Sequence, residues 1–569
     1  MKKRKLGIVK YCLALVAFLC TFNIFAQDIE AIAKAPLLVM NGGVSVSQIA
    51  THAPDNPAAN PYALYIGGNL NFNMLGVINV PMSFAYTNQQ LSKSVSLPFN
   101  RFSIAPSYKW VKLYAGYASM NFSPYSLAGH EIFGGGVELT PDNGFRVSAI
   151  YGRLKKENSD IDPSFRRMGG GFNVEYKKET FDVGVNIFKA QDILSSNPFP
   201  NPDSIPINPQ DNLSGSIKAN INILKNLRFG AEYGISAINK QIPTETGDDF
   251  RLLHTKGDMA VYHAQKAQLS YTFDVNSIGT TYERVAPNYT TFGSYYMTND
   301  YENITANFAT VIRKLNIALD GGYQRNNLDK QKSNTTSRII GSANISSNVT
   351  EKLNLSVSLS NLQAYVYIND VYSQVTQTNE FQNLDTLNVT QLNYTMSLNA
   401  AYLLESSKTR RQSTNLNFMY QKSAEAQQYS RFSGNDIYNT SLSYMLSFIP
   451  IQFNTSASIS NNYNRMPENM YINALTYNVS LQKTFFKSLK TSLTTTFSDM
   501  YNQDGALSNV LNMRLSGGYL LAKKHNVNLA VSLLHSESLR KQTQYMVNLS
   551  YSYAFNMILD KKTGLETNF

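Results

Sequence analysis

From about residue 60 to Phe555 the chain repeats one unit of ten to fourteen residues in which apolar and polar side chains alternate. In the last copy Tyr545, Val547, Leu549, Tyr551, Tyr553 and Phe555 share one parity, and Asn548, Ser550 and Ser552 share the other. A strand points successive side chains to opposite faces, so each copy has one apolar and one polar face. A soluble sandwich with its apolar faces inward gives the same alternation. The lengths of the connections separate the two. Short ones lie near Gly76, Val111, Pro141–Gly144, Lys178, Lys225, Val275, Lys314, Thr350, Ile449-Pro450, Phe486 and Lys523. Between them come longer polar ones, 123–128, 193–211, 239–258, 288–300, 368–388, 501–506 and 537–541 among them. Short turns at one rim and long loops at the other are the plan of an outer-membrane barrel.

The reading is an all-β fold: a large closed antiparallel transmembrane β-barrel of about 26 strands, any even number from 22 to 26 fitting, with short periplasmic turns and long extracellular loops. An even count places both termini on the periplasmic side. Leu353, Leu355, Val357 and Leu359 share one parity that Leu362 breaks, which reads as a bulge.

The N-terminus sets the compartment. Lys2, Lys3, Arg4, Lys5 and Lys10 precede an apolar run from Tyr11 to Phe25, with Ala26-Gln27 as a small-residue exit. A basic head and an apolar stretch too short to span describe a secretory signal peptide over 1–26, with Ile24 bulkier than ideal before the cut. A periplasmic segment over 27–36, the barrel over 37–555 and a periplasmic tail over 556–569 complete the expected organisation. The segment before the first strand is too short for a plug domain, which argues against a TonB-coupled receptor. Both cysteines, Cys12 and Cys20, leave with the signal, so no disulfide frame or cysteine metal site is expected. Losing the five basic residues of the head leaves 45 against 39 acidic ones, a net of +6, which does not argue for nucleic acid. Abundant Tyr (36) and Phe (30) with a mean hydropathy of −0.26 suit strands that are apolar on one face only.

A circular barrel of 26 strands at about 4.8 Å spacing and roughly 40° tilt is roughly 50 Å across, too wide for side chains alone to fill. The loops 193–211, 239–258 and 368–388 are candidate constrictions, against the plainer reading that they cover the rim. Inward parity falls to Lys218, Arg228, Glu232 and Lys266 on neighbouring strands, and to Arg146, Glu175 and Arg514 elsewhere. Such charges bias which solutes pass, or are simply a solvated wall of mutually paired groups. Basic residues crowd the turns at Lys177-Lys178, Arg313-Lys314, Lys408 with Arg410-Arg411, and Lys523-Lys524. Headgroup contact and interface anchoring both explain them. Trp110, the only tryptophan, lies at such a turn, and Phe555 closes the last alternating copy; both read as interface anchors.

No chemistry emerges beside this. The six histidines have no metal-ligand spacing, and neither a nucleophile elbow nor a phosphate-cradling loop occurs. No cofactor, metal or catalytic residue is expected, and the chain is not read as an enzyme. The glycine triplets Gly134–Gly136 and Gly169–Gly171 lie within strands, where they allow bending or close approach.

The stretches Pro98–Phe102, Pro106–Trp110, Ser123-Pro124-Tyr125-Ser126-Leu127-Ala128-Gly129-His130 and Tyr151-Gly152-Arg153 resemble uncharacterised outer-membrane β-barrel proteins of Bacteroidota, as does the signal ending Asn23–Gln27. The resemblance implies an envelope protein and carries no functional residue. The expected function is an outer-membrane channel or transport pore for solutes. The alternative is a barrel subunit of a larger envelope complex, for protein export or surface assembly, with loops or a protein partner in its lumen. The outer-membrane bilayer and the barrel-insertion machinery are the expected partners.

Overall fold

The computed structural model describes residues 35–54, 61–89, 100–158, 163–196, 207–242, 252–254, 257–331, 335, 337–361, 363–365, 390–424, 434–538, 541–560 and 564–567. Every ladder in it is antiparallel, and each strand pairs with its neighbours in sequence. The 29 ladder segments reduce to 26 wall strands. Ser107–Tyr108 continues Arg101–Ile104 in the same register on Ile78–Thr87, Gln363–Tyr365 continues Leu353–Ser360 on Thr390–Ser406, and Gly564–Thr567 folds back on the end of the last strand. Leu38–His52 then pairs with Lys541–Asp560, from Leu38 opposite Leu559 to His52 opposite Tyr545, and closes the barrel. Closure removes the free strand edges that an open sheet of this size would expose.

Three expectations are corrected. The residues on either side of Leu362 keep one register, Ser360 opposite Thr395 and Gln363 opposite Leu392, so no bulge interrupts that strand. The last strand does not end at Phe555; it runs to Asp560, its ladder on the first strand being continuous through Asn556. The connections read at 501–506 and 537–541 are short, since strands extend to Asn502 and from Gly505, and to Glu537 and from Lys541. Polar residues there obey the wet parity of a strand as readily as they suit a loop.

The apolar face looks outward. Val183, Val185, Ile187, Ile217, Ile221, Tyr233 and Ile235 are all exposed on it. Two aromatic rows bound that band. Tyr420, Tyr438, Tyr463 and Tyr471 follow one another at centroid distances of 4.8, 6.1 and 5.5 Å toward the loop rim. Phe448–Phe453 and Tyr553–Phe555, at 6.3 and 5.5 Å, lie toward the turn rim. Tyr438 and Phe448 end opposite halves of one strand, Gly434–Phe448. Ten residues rising about 3.3 Å each, tilted about 40°, span about 25 Å, the height of the lipid-facing band of such barrels.

Candidate functional site

On the opposite, lumenal face five of the seven expected inward charges, Arg146, Glu175, Lys218, Glu232 and Lys266, fall into one lateral row. Register places Arg146 opposite Glu175, Glu175 opposite Gly184, Gly184 opposite Lys218, Lys218 opposite Glu232, Glu232 opposite Lys266, and Lys266 opposite Glu283. Reading around the wall, the signs alternate strictly, with one glycine where a strand contributes no charge. Cross-strand opposite charges stabilise a sheet modestly, by roughly 0.2–1 kcal/mol per pair. Lys218 Nζ meets Glu175 Oε1 at 2.6 Å across Gly184, where an added β-carbon would lie 2.8 Å from the Lys218 side chain. Arg146 reaches Glu138 at 3.1 Å. Arg228 lies nearer the turn rim and bonds Asp182 at 3.0 Å. Arg514 stands apart, between Thr494 and Ser532 on the other side of the barrel.

Above this row, two segments fold against the wall from inside. In the first, Phe122–Leu127, Pro124 follows Ser123 in a turn closed by Ser126 N–H donating to Ser123 O (3.2 Å). The Ser123 hydroxyl accepts from Tyr125 N–H at 3.0 Å and itself donates to Glu232. Glu232 also accepts from Ser216 at 2.8 Å. Tyr125 lies over Gly234, Ala264 and Val285, and its hydroxyl donates to Glu283 Oε1 at 2.7 Å. Ser126 donates to Asn186 at 2.5 Å, and Asn186 to Ser216 at 2.8 Å. Two carboxylates of the charge row thus hold the segment in place.

The second segment, 286–300, leaves the wall at Ala286-Pro287 and turns at Asn288, whose φ of 60° is left-handed, a conformation asparagine tolerates better than most residues. Tyr289 donates to Tyr125 O at 2.8 Å and Thr291 to Ser126 O at 2.5 Å. Asn212 Nδ2 donates to Thr290 O, and Asn212 Oδ1 accepts from Phe292 N–H at 3.1 Å. The segments cross at Gly293, whose carbonyl accepts from Ala128 N–H at 2.9 Å; a β-carbon there would meet Leu127 Cα at 2.8 Å. Only glycine permits that approach.

Behind them lies an apolar cluster of Met120, Phe122, Leu127, Ile132, Ile150, Phe188 and Phe292. Its room comes from glycine. Gly116, Gly134, Gly152 and Gly169 succeed one another across four strands in register. Where a β-carbon would stand on Gly171 and Gly136, Phe122 and Met120 approach to 2.9 Å. Burying a Leu or Phe fully contributes roughly 1.5–3 kcal/mol, so packing, more than any single hydrogen bond, holds the segments down. The triplets expected to allow close approach do so here. Arg167 caps the cluster, its guanidinium 3.5 Å from the Phe292 ring and bidentate on Asp192 at 2.8 and 3.0 Å.

Burial pushes the hydroxyls of Tyr125, Tyr289 and Tyr295 well above the ordinary tyrosine range; the charge of Glu283 adds to this for Tyr125, that of Glu232 for Tyr289 and that of Glu131 for Tyr295. All three stay neutral at any ordinary pH, Tyr125 and Tyr289 as donors and Tyr295 as the acceptor of Glu131 N–H at 3.3 Å.

The rest of the wall is different. Between Tyr301 and Asp560 the described residues that are nearly fully buried are Thr310, Asn327, Ile340 and Ala530. There the inward positions carry amide and hydroxyl side chains that bond along the wall: Ser358 to Asn344 at 2.8 Å, Asn478 to Thr496 at 2.7 Å, Thr476 with Ser498 at 2.7 Å and Ser492 with Ser516 at 2.6 Å.

Of the three candidate constrictions, 368–388 and most of 193–211 and 239–258 lie outside the described residues. The described end of 239–258 does not enter the lumen. His254 contacts Asp211 at 2.7 Å beside Lys189, which pairs with Asp211, and Asp211 shares the outward parity of exposed Ile217 and Ile221. Among the described residues, the segments that enter the lumen are 122–127 and 286–300. Glu138, Asp182 and Glu283 belong to the charged wall and were missed. Counting outward from the two-residue turn Asp274-Val275 places Glu283 opposite Lys266, a signal present in the sequence. Trp110 sits in the turn before Val111–Asn121, its carbonyl accepting from Thr140 N–H at 2.8 Å. Phe555 stacks on Tyr553.

No family model matches the chain, and no curated protein matches it. Among solved structures it is similar to the P pilus usher (PapC) translocation pore, at 12% identity over 90% of this chain and 99% of that one, with a TM-score of 0.36. The FrpB iron transporter from Neisseria meningitidis (F5-1 variant, apoprotein form) matches at 10% identity over 90% and 81%, with a TM-score of 0.38. An anion-selective porin from Comamonas acidovorans matches at 10% identity over 68% and 100%, with a TM-score of 0.27. Likenesses this distant carry no argument beyond the barrel that strand pairing itself establishes.

Proposed function

We propose that this chain is an outer-membrane pore whose path for solutes runs along the amide and hydroxyl wall between Ser337 and Ser552. The observation that carries this reading is the division of the lumen: one wall is packed with inward segments, the other offers hydrogen-bonding side chains with little described structure over them. Such a wall suits hydrated solutes, since its groups exchange bonds with water at little cost. The 122–127 and 286–300 segments are then a fixed lining that narrows the bore, not a gate, because their contacts are those of a packed core. The turn rim faces the periplasm and the loop rim the exterior, with export by the signal peptide over 1–26.

The width of the bore favours a second reading, a barrel subunit of an envelope complex whose protein partner occupies the lumen. Planar-bilayer recording on the purified barrel distinguishes the two. A pore gives steady, large conductance steps. Silence at all voltages, with a second protein retained on mild detergent extraction, supports the partner-filled barrel instead.

A further inference from the structure

The turn rim carries a feature that a pore does not require. Phe486 sits at the tip of its turn, 88% exposed, with φ of 51°, followed by Lys487 with φ of 62°. Two successive left-handed residues make the mirror-image turn that strand twist favours, a place where Asn-Gly is usual and a bulky aromatic is strained. The turn at Ala522-Lys523 repeats the geometry with φ of 49° and 57°. Exposed apolar side chains flank the other turns: Leu224, Val275, Ile312, Val349 and Leu521 are each at least half exposed and continue the outward apolar rows to the rim. Arg313, Lys314, Lys408, Lys487 and Lys523 stand among them, exposed and without an ion pair among the described residues. The acids of the same arc are Asp274, Glu351 and Glu405, and Glu405 is already held by Arg410.

We propose that this rim, from Lys225 to Lys523, binds anionic glycerophospholipid headgroups, with the phosphodiesters on the turn lysines and arginines and Phe486 inserted beside the acyl chains. The inference rests on the membrane placement proposed above. Three observations fit lipid better than an acidic protein partner. The cations are spread over successive turns and not gathered in one patch. The apolar side chains are continuous with the lipid-facing band. An aromatic held in a strained turn tip gains most where it leaves water. Basic residues at a membrane surface each strengthen binding to anionic lipid and lose it in salt.

The full chain is delipidated in detergent and inserted into phosphatidylcholine vesicles with or without phosphatidylglycerol. Bound lipid is then extracted and counted at low and high salt, for the native chain and for an Arg313→Gln, Lys314→Gln, Lys487→Gln, Lys523→Gln variant. Retention of phosphatidylglycerol over phosphatidylcholine is expected, falling roughly tenfold or more in the variant and in high salt. In a Trp110→Phe background, Phe486→Trp is expected to be quenched by phospholipid brominated near the headgroup. Insertion with equal retention of both lipids, or an unquenched, solvent-like Trp, overturns the proposal while leaving the barrel reading intact. Failure to insert into either vesicle overturns both.

Discussion

The Tyr125 hydroxyl lies 2.7 Å from Glu283 Oε1, although 158 positions separate the two residues. It joins the first inward segment to the far end of the charge row, and its loss tests whether the lining is held by the wall. Tyr125→Phe keeps the ring over Gly234 and removes only that bond. A hydrogen bond to a charged acceptor contributes roughly 1.5–3 kcal/mol, so amide exchange across 122–127 is expected to quicken by about tenfold or more while the strands stay protected. Unchanged exchange would show that packing alone fixes the segment.

Gly234 gives the opposite perturbation. A β-carbon there would come within 2.6 Å of Tyr125 Cβ, so Gly234→Val cannot coexist with the docked ring. Overpacking costs roughly 1–3 kcal/mol. Because the ring can leave into the lumen, the barrel is expected to fold and the lining to lift. Greater protease access at 122–127 together with larger single-channel conductance is the expected pair of readouts. Unaltered values for both would place Tyr125 elsewhere in solution.

Alkaline pH offers a third handle. The folded values of Tyr125, Tyr289 and Tyr295 are raised above the ordinary 10.0, so the docked state holds these protons more tightly than the undocked one. Their contribution to docking is therefore complete below about pH 10 and is lost as pH climbs beyond it. Titration followed at the tyrosinate absorbance should show these three phenols among those ionising late, in step with exchange at 122–127. Three ordinary titrations near pH 10 would refute the buried setting.

The closing seam supplies a fourth. Four of its fifteen register pairs, Leu38–Leu559 through Asn41–Asn556, lie beyond Phe555. A chain truncated after Phe555 is expected to leave Leu38–Asn41 paired on one side only, to Asn71–Met74, and to lose its heat-resistant compact form on gels at a lower temperature. A transition unchanged from that of the full chain would mean that the last residues add nothing to closure.

The alternation of Tyr545 to Phe555 with Asn548, Ser550 and Ser552 separates an apolar face from a polar one by itself, because strand geometry allows no other arrangement. Short turns go further: they fix register by counting, and so Lys266 opposite Glu283 was legible. Nothing local says that the connection 122–127, which overlaps one of the stretches behind the family resemblance, folds back inside the barrel instead of covering its rim. That outcome depends on Asn186, Ser216, Glu232 and Glu283 standing on separate strands, and on a glycine row that only lateral pairing assembles. The sequence by itself determined the wall and its two faces, since both follow from a period of two. The tertiary structure alone decided what one side of the lumen contains, since contacts across more than a hundred residues are set by closure and packing.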